Sequence, residues 1–587
     1  MIGKRSAQRN LFEADNQFLD FVGQDTFYGF LALQRGKLFK DEDFGAFYSP
    51  DNGRPSVAPS LLATALLLQT YDGVSDEEAK ARADYDLRWK VALGIGIEEQ
   101  PFAKSTLQLF RANLILKEKM RVVFQQSLAY ARESGYLKQH RLTAIVDTTY
   151  ILGRGAVKDT YNLLADGIRQ LMRALAEVQK VPLEAWSQMH GLERYLASSL
   201  KGESQVDWES EEARNAFLQG IVTDADRLLA LRQTMVKDQP QTPKDQVRIE
   251  QAASLLDQLI DQDVERSETG VQLKQGVAKD RIISVNDPQM RHGHKSSSKR
   301  FDGHKAAVAV DAESQLVTAV EVLPGNGADA TPALSLTEAS EVNTGLAVAE
   351  TVGDCAFGDG NTRQAFADAK RSLIAKVANV GRHDQIHKSQ FHIDLEAMTC
   401  TCPTGQTTAN LITSGSELDK DGNKQPGKSF AFSVEICANC PLRPECVRSK
   451  VNRGRTIHLH PQEGLLQVAR ALQHSPAFQA YRKLRQTVEH RQARLVQLGI
   501  RQARYVGRQK MLFQLLMAAT VANLTLITSK LGLVRRRNAG KKSALPIFSA
   551  LWNLTRHLLE ASMAQFKGLH PLAVTFCSQM PGFRPGS

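Results

Sequence analysis

Apolar positions change period several times along the chain, and each change predicts a different kind of element. From about Phe44 to Leu116 the segments GRPSVAPSLLATALLLQTYDG, SDEEAKARADYDLRWKVALGIG and FAKSTLQLFRANLILKEKMRVVF read as short helices, the first with a Pro-Ser start and a Gly stop. Short helices joined by turns fit a helix-turn-helix module or a plain helical bundle, which periodicity does not separate. A β-type run, RLTAIVDTTYILG, follows from Arg141 to Gly153. Between Tyr161 and Glu268 the period is again helical. Leu164, Ile168, Leu171, Leu175 and Val178 share one face, and Ala252, Leu256 and Leu259 repeat the pattern. Strands resume at HKAAVAV and QLVTAVEVLPG around a DAES turn. Helix TPALSLTEASEV, strand AETVGD, helix NTRQAFADAK and strand SLIAKVA come next. That order describes an α/β core whose first strand lies far upstream. Two long helices, Pro476 to Gln497 and Arg501 to Leu531, follow a Cys-rich interruption.

At 587 residues the chain exceeds what one core supports. Hydrophobic residues at 42% and charged residues at 23% make extended disorder unexpected. A net charge of +11 favours a polyanionic partner. The N-terminus lacks the apolar run of a signal peptide. The most lipid-like stretch, Met511 to Ile527, is interrupted by Gln514 and Asn523 and reads as a buried helix, so no membrane partner is expected. Of seven cysteines, five fall between Cys400 and Cys446, which points to a local metal site in a reducing compartment, hence a cytoplasmic protein.

Asp147 stands in the middle of an apolar, β-branched strand, where a carboxylate is costly unless paired or bound to a metal. Asp354 ends a second apolar strand, and Glu489 shares a helix face with Tyr481 and Arg485 at spacings of four. Singly, these acids could cap a turn, begin a loop or form a surface ion pair. Together, two strand acids and a helix acid around an α/β core are what two-metal phosphoryl transfer requires, with hard oxygen ligands holding two Mg²⁺ ions. Asp159, Asp311 and Asp359 are rival acids ranked below them. Arg291, Lys295, Lys299, Arg300 and Lys305 form a basic stretch abutting the core hairpin, read as DNA phosphate contacts. The run Arg535 to Lys542 is a weaker candidate for the same role. Cys400, Cys402, Cys437, Cys440 and Cys446, with His458 and His460 nearby, offer more than the four ligands of a structural Zn²⁺, leaving the chosen four open. Cys355 and Cys577 read as ordinary buried thiols.

Four segments carry a family resemblance: VDTTYILGRGAVKDTYNLL, MRHGHKSSSKRFDGHKAAVAVD, VGDCAFGDGNTRQAF and YRKLRQTVEHRQARLVQLGIRQARYVGRQK. With them the chain resembles an insertion-sequence DDE transposase of the branch with a helical N-terminal region and a Cys-rich insert. The resemblance implies an RNase H-like mixed-sheet core with the catalytic triad Asp147, Asp354 and Glu489, supported by Tyr481 and Arg485. It implies two Mg²⁺ or Mn²⁺ ions, double-stranded DNA partners (terminal inverted repeats and target) and a dimer on DNA. It further implies action at the nucleoid of a prokaryotic cytoplasm, with DNA cleavage followed by strand transfer. Tyr481 lies one residue farther from Arg485 than in the family pattern. Val496 stands where a Lys is usual, a role open to Arg501, Arg504 or Lys510. The expected spans are a helical DNA-binding domain at 1–135, the first core strand at 136–160, a helical insert at 161–285 and the RNase H-like core at 286–395. A Cys-rich zinc insert at 396–460, C-terminal core helices at 461–535 and a tail at 536–587 complete the chain. Competing readings are a transposase-derived DNA-binding regulator without catalysis and an RNase H-like nuclease without strand transfer.

Overall fold

In the computed structural model the described residues are 1–531, except 6–12, 50–52, 239–241, 269, 297, 379–384, 419–423 and 448–452. The basic run from Arg535 and Cys577 lie outside them. Six strands form the main sheet: β1 (Arg141–Leu152), β2 (Arg291–His294), β3 (Arg300–Asp311), β4 (Val317–Pro324), β5 (Ala347–Val352) and β6 (Leu373–Ile374). β3 pairs antiparallel with β1 from Ala144↔Asp311 to Leu152↔Gly303, although the whole segment Thr160 to Val285 intervenes in sequence. β5 lies parallel to β1 on its other side and β6 lies beyond β5. β4 and the short β2 share the outer edge of β3. The sheet therefore runs β4-β3-β1-β5-β6, with the first strand central.

Side-chain alternation sends neighbouring β1 residues into different cores. Val146, Ala307 and Ala309 pack with Leu336 of helix α1 (Ala333–Thr344) on one face. Ile145, Val308 and Val310 pack on the other, which helices α2 (Phe478–Leu495) and α3 (Arg508–Lys530) cover. α3 is long and apolar enough to cross a membrane, but it is buried inside the fold on all sides. Each fully buried Leu515, Leu516, Val521 or Leu524 stabilises this packing by about 1.5–3 kcal/mol. The two amide side chains in its apolar run are satisfied by backbone. Asn523 accepts from the Val317 N–H and donates to its carbonyl at 2.9 and 2.8 Å. Gln514 accepts from the Arg504 N–H at 2.9 Å and donates to the Gly499 and Gln502 carbonyls.

The N-terminal helices keep only a small core of their own, around Ala14, Ala32 and Val91. Phe30, Leu66, Trp89 and Phe124 belong to the same apolar cluster as Ile145, Val308 and Leu516, so these helices dock on the sheet through α3. Local sequence still sets their ends. Thr26, Ser75 and Asp86 accept helix-start N–H groups, and Gly73 and Gly94 close helices in left-handed conformations. The segment after β1 behaves differently. Its apolar cluster is drawn wholly from residues between Tyr161 and Val285, on helices Thr160–Val178, Glu211–Asp238 and Pro243–Asp263.

One expected boundary is corrected. The last helix begins at Arg508 rather than Arg501. α2 runs into a π-type turn at Val496–Ile500, where Gly499 has φ 89°, a conformation glycine adopts without strain. The chain then turns back onto β1: the Leu152 N–H donates to the Arg501 carbonyl and the Ala503 N–H to the Leu152 carbonyl, both at 2.9 Å.

Candidate active site

Strand register builds the site. Ile145 of β1 pairs with Val352 of parallel β5, and Asp147 and Asp354 each stand two residues farther on. Neighbouring strands thus carry the two carboxylates to the same level, Asp147 in the middle of β1 and Asp354 just past the end of β5. Asp147 pairs across the sheet with Val308, on the face that α2 covers. Its carboxylate accepts from the Thr148 N–H at 2.8 Å, and that of Asp354 accepts from the Ala356 N–H at 2.7 Å. Burial pushes the Asp147 carboxyl up to about 6. The charges of Asp354 and Asp329 push the same way, while the Thr148 N–H and the Arg485 guanidinium oppose them. Arg485 Nη2 lies 3.9 Å from Asp354 Oδ2, so one cation of α2 answers both aspartates.

A cavity of about 440 Å³ opens at this point, lined by Asp354, Cys355, Lys376, Tyr481, Arg482 and Arg485. Tyr481 donates to Glu350 Oε1 at 3.0 Å. Glu489 is exposed one helical turn beyond Arg485, and it is the only acid in the sequence between 475 and 531. Among the described residues, no three His, Cys, Asp or Glu side chains gather around a common metal position. The structure thus brings Asp147, Asp354 and Arg485 together and leaves Glu489 on their helix face without direct contact.

The rival acids have other work. Asp159 caps helix Thr160–Val178, and Asp359 caps helix Gly360–Asp368. Asp311 is buried and accepts from the Thr143 N–H, Gln139 and Ser314. Asp329 was not among the acids the sequence singled out. It lies in the Gly-rich loop after β4, and its only sequence signal is that position between a strand and a helix. Cys355 is exposed rather than buried, because the chain turns outward directly after Asp354.

The basic stretch divides in two. Lys295, Lys299 and Arg300 are exposed. Lys305 instead pairs with Asp329 at 2.8 Å and donates to the Gly327 carbonyl. Arg291 is half-buried, donating to the Pro288 and Met290 carbonyls at 2.6 and 2.7 Å. Among the three residues open to the missing Lys role, Arg501 donates to Thr149 Oγ1 and the Tyr150 carbonyl beside the site. Arg504 donates to the Val74 carbonyl, and Lys510 is exposed.

The five clustered cysteines also divide. Cys402, Cys437, Cys440 and Cys446 line one small cavity of about 30 Å³. Cys400 does not line it. It is fully buried in an apolar cluster with Ile393 and Phe430, and burial pushes its thiol up to about 11. His458 and His460 line a different cavity, with Gly360 and Arg470.

Two comparisons bear on identity. Residues 401–528 match a model described as Transposase DDE domain, a span that includes four of the clustered cysteines and Glu489 but neither aspartate. Residues 20–113 match a Transposase domain (DUF772) model, covering the N-terminal helices. No curated protein and no solved structure matches the chain. Matched by transposase models toward both ends of its described part, the chain is similar to transposases there, and the two matches support an insertion-sequence DDE transposase.

Proposed function

We propose that this transposase binds mobile-element ends, cleaves DNA there and joins the freed end to target DNA, with Asp147, Asp354 and Glu489 as its metal-binding carboxylates. The observation that carries the reading is the β1–β5 register, by which Asp147 in the middle of β1 and Asp354 just past β5 stand at one level on neighbouring strands. A sheet ordered β4-β3-β1-β5-β6, with β3 antiparallel and β5 parallel to the central strand, supports an RNase H-like core.

The donor set fits divalent magnesium or manganese. Asp147 and Asp354 are hard oxygen donors; burial, helped by the charge of Asp354, raises the Asp147 carboxyl, and a bound dication would favour its charged form. Bound there, the ions supply activation of an attacking oxygen and stabilisation of a leaving one. Glu489 completes the set as the one acid of an otherwise basic helix. Arg485 holds Asp354 in place and balances the pair's charge. Tyr481, tied to Glu350, fixes the wall of the cavity. Cys402, Cys437, Cys440 and Cys446 are soft donors lining one small cavity that Cys400 does not line, and they are the proposed ligands of a structural Zn²⁺, although no three of them gather around a common position.

The test is a gel shift and a strand-transfer assay on the same end-containing DNA. Asp354→Asn keeps size but removes the charge that holds a metal. Cleavage and joining should fall by more than the roughly 10–100-fold typical of outer-shell changes, with DNA binding retained. Joining at the wild-type rate sinks the assignment. Wild-type protein that binds ends but never cuts with Mg²⁺ or Mn²⁺ favours a regulator, and cutting without joining favours a nuclease.

A further inference from the structure

Around Tyr150, three residues past Asp147 on β1, three cations converge. The Arg501 guanidinium carbon lies 3.8 Å from the ring centroid, and the Lys295 and Lys299 ammonium groups lie at 5.6 and 5.5 Å. Phe301 packs beside the ring at 5.3 Å. The arrangement is built rather than incidental. Gly499 breaks the helix, the chain turns back, Gln514 straps the turn, and paired backbone fixes Arg501 against the end of β1. Lys295 and Lys299 flank the tip of the β2–β3 hairpin, joined by a 2.8 Å bond from the Lys295 N–H to the Lys299 carbonyl.

Like charges held this close repel, and a ring quadrupole offsets only part of that. Lys305, farther along the same hairpin strand, has Asp329 as a carboxylate partner. Among the described residues no carboxylate lies within ion-pair distance of Lys295, Lys299 or Arg501. The described residues leave this positive charge unanswered, as a site for an anionic ligand would.

We infer that Lys295, Lys299 and Arg501, gathered on the Tyr150 ring, form one binding site for the phosphodiester backbone of a DNA strand running past the carboxylate end of β1. This rests on the DNA reading above. Three strand residues span about 10 Å, roughly three nucleotide rises of 3.4 Å, so Tyr150 lies a few nucleotide rises along β1 from Asp147, with its ring on the opposite face of the strand. Lysine and arginine donors both suit phosphate oxygens, and such contacts fix position without reading sequence.

The experiment is fluorescence anisotropy of a labelled duplex against NaCl concentration, with cleavage of end-containing DNA followed in parallel. Removing two phosphate contacts in Lys295→Ala/Lys299→Ala should make the slope of log K against log salt less negative by about two, for any duplex sequence. Tyr150→Leu should weaken binding about two- to fivefold, while Tyr150→Phe, which keeps the ring, should bind like wild type. The control Lys119→Ala/Lys138→Ala removes the same charge from exposed positions away from the carboxyl end of β1 and should leave the slope unchanged. Equal slopes for wild type and Lys295→Ala/Lys299→Ala overturn the site, as does an equal loss in the control. A wild type that shows the slope change on substitution but never cleaves defeats the nuclease reading and leaves the site standing. A wild type that binds no DNA defeats both.

Discussion

In the helices between Ala14 and Glu133, positive charge is consumed internally. Arg35 meets Asp15 at 2.9 Å, Arg82 meets Asp72 at 2.8 Å and Arg88 meets Asp86 at 2.6 Å, while Arg111 pairs with Asp76. Acids outnumber bases across the matched span 20–113. At the carboxyl end of the sheet the reverse holds: Lys295, Lys299 and Arg501 crowd one ring, and Asp147 and Asp354 share Arg485. The contrast teaches that the net charge of +11 does not locate a polyanion surface; local pairing does. Salt bridges among the helices serve the shared core, whereas unpaired charge at the sheet end is available to a ligand.

Arg111→Ala breaks the comparison if the N-terminal cations bind DNA. Arg111 and Asp76 side chains are 9% and 22% exposed, so an unpaired Asp76 should lower stability by about 2–3 kcal/mol, seen in urea unfolding, below the 3–5 of a fully buried pair. The salt slope of DNA binding should not change. Burial raises the Asp76 carboxyl, but hydrogen bonds from Arg111, Gln69 and Gln108 outweigh it and hold the group well below the usual range. A depressed folded value contributes stability above the unfolded pKa, lost as pH falls through the folded one. The Arg111 effect should therefore fade in strong acid.

Asp147 has the opposite sign. Its folded value of about 6 exceeds its unfolded one, so folding favours the protonated form and stability falls as pH rises from about 4 through 6. Asp147→Asn should be more stable than wild type at pH 8 by on the order of 1–2 kcal/mol, after allowing for partial solvent access, with the gap closing near pH 4. A gap of equal size at both pH values would show that the group is not burdened by burial and Asp354. The smallest effect belongs to Gly499→Ala, where a Cβ at positive φ costs about 1 kcal/mol and loosens the turn that aims Arg501. Its DNA affinity should fall more than its stability, and the reverse order would detach Arg501 from binding.

Strand β1 was legible because its run is apolar and β-branched, and the helical period after it marked a separate segment that leaves the pairing of β1 with β3 intact. What could not be read was non-local. Lys305 looks like its basic neighbours in sequence, and only the fold supplies Asp329 as its partner. Arg291 is spent on nearby carbonyls, and Cys400 is separated from Cys402 because the strand Thr399–Thr401 ends between them and the chain turns there. A single glycine between two helical patterns predicted a short gap, whereas seven non-helical residues from Arg501 to Gly507 return to the end of β1. The shared core of the N-terminal helices and sheet depends on α3, whose all-round burial shows no amphipathic period.

Binding of Mn²⁺, followed by electron paramagnetic resonance on wild type, Asp147→Asn, Asp354→Asn and Glu489→Gln, tests most directly whether these carboxylates form one metal site. The account predicts saturable binding to wild type that is lost in both aspartate variants and weakened in Glu489→Gln, with unchanged folding by circular dichroism. Undiminished Mn²⁺ binding in Asp147→Asn and Asp354→Asn would contradict it.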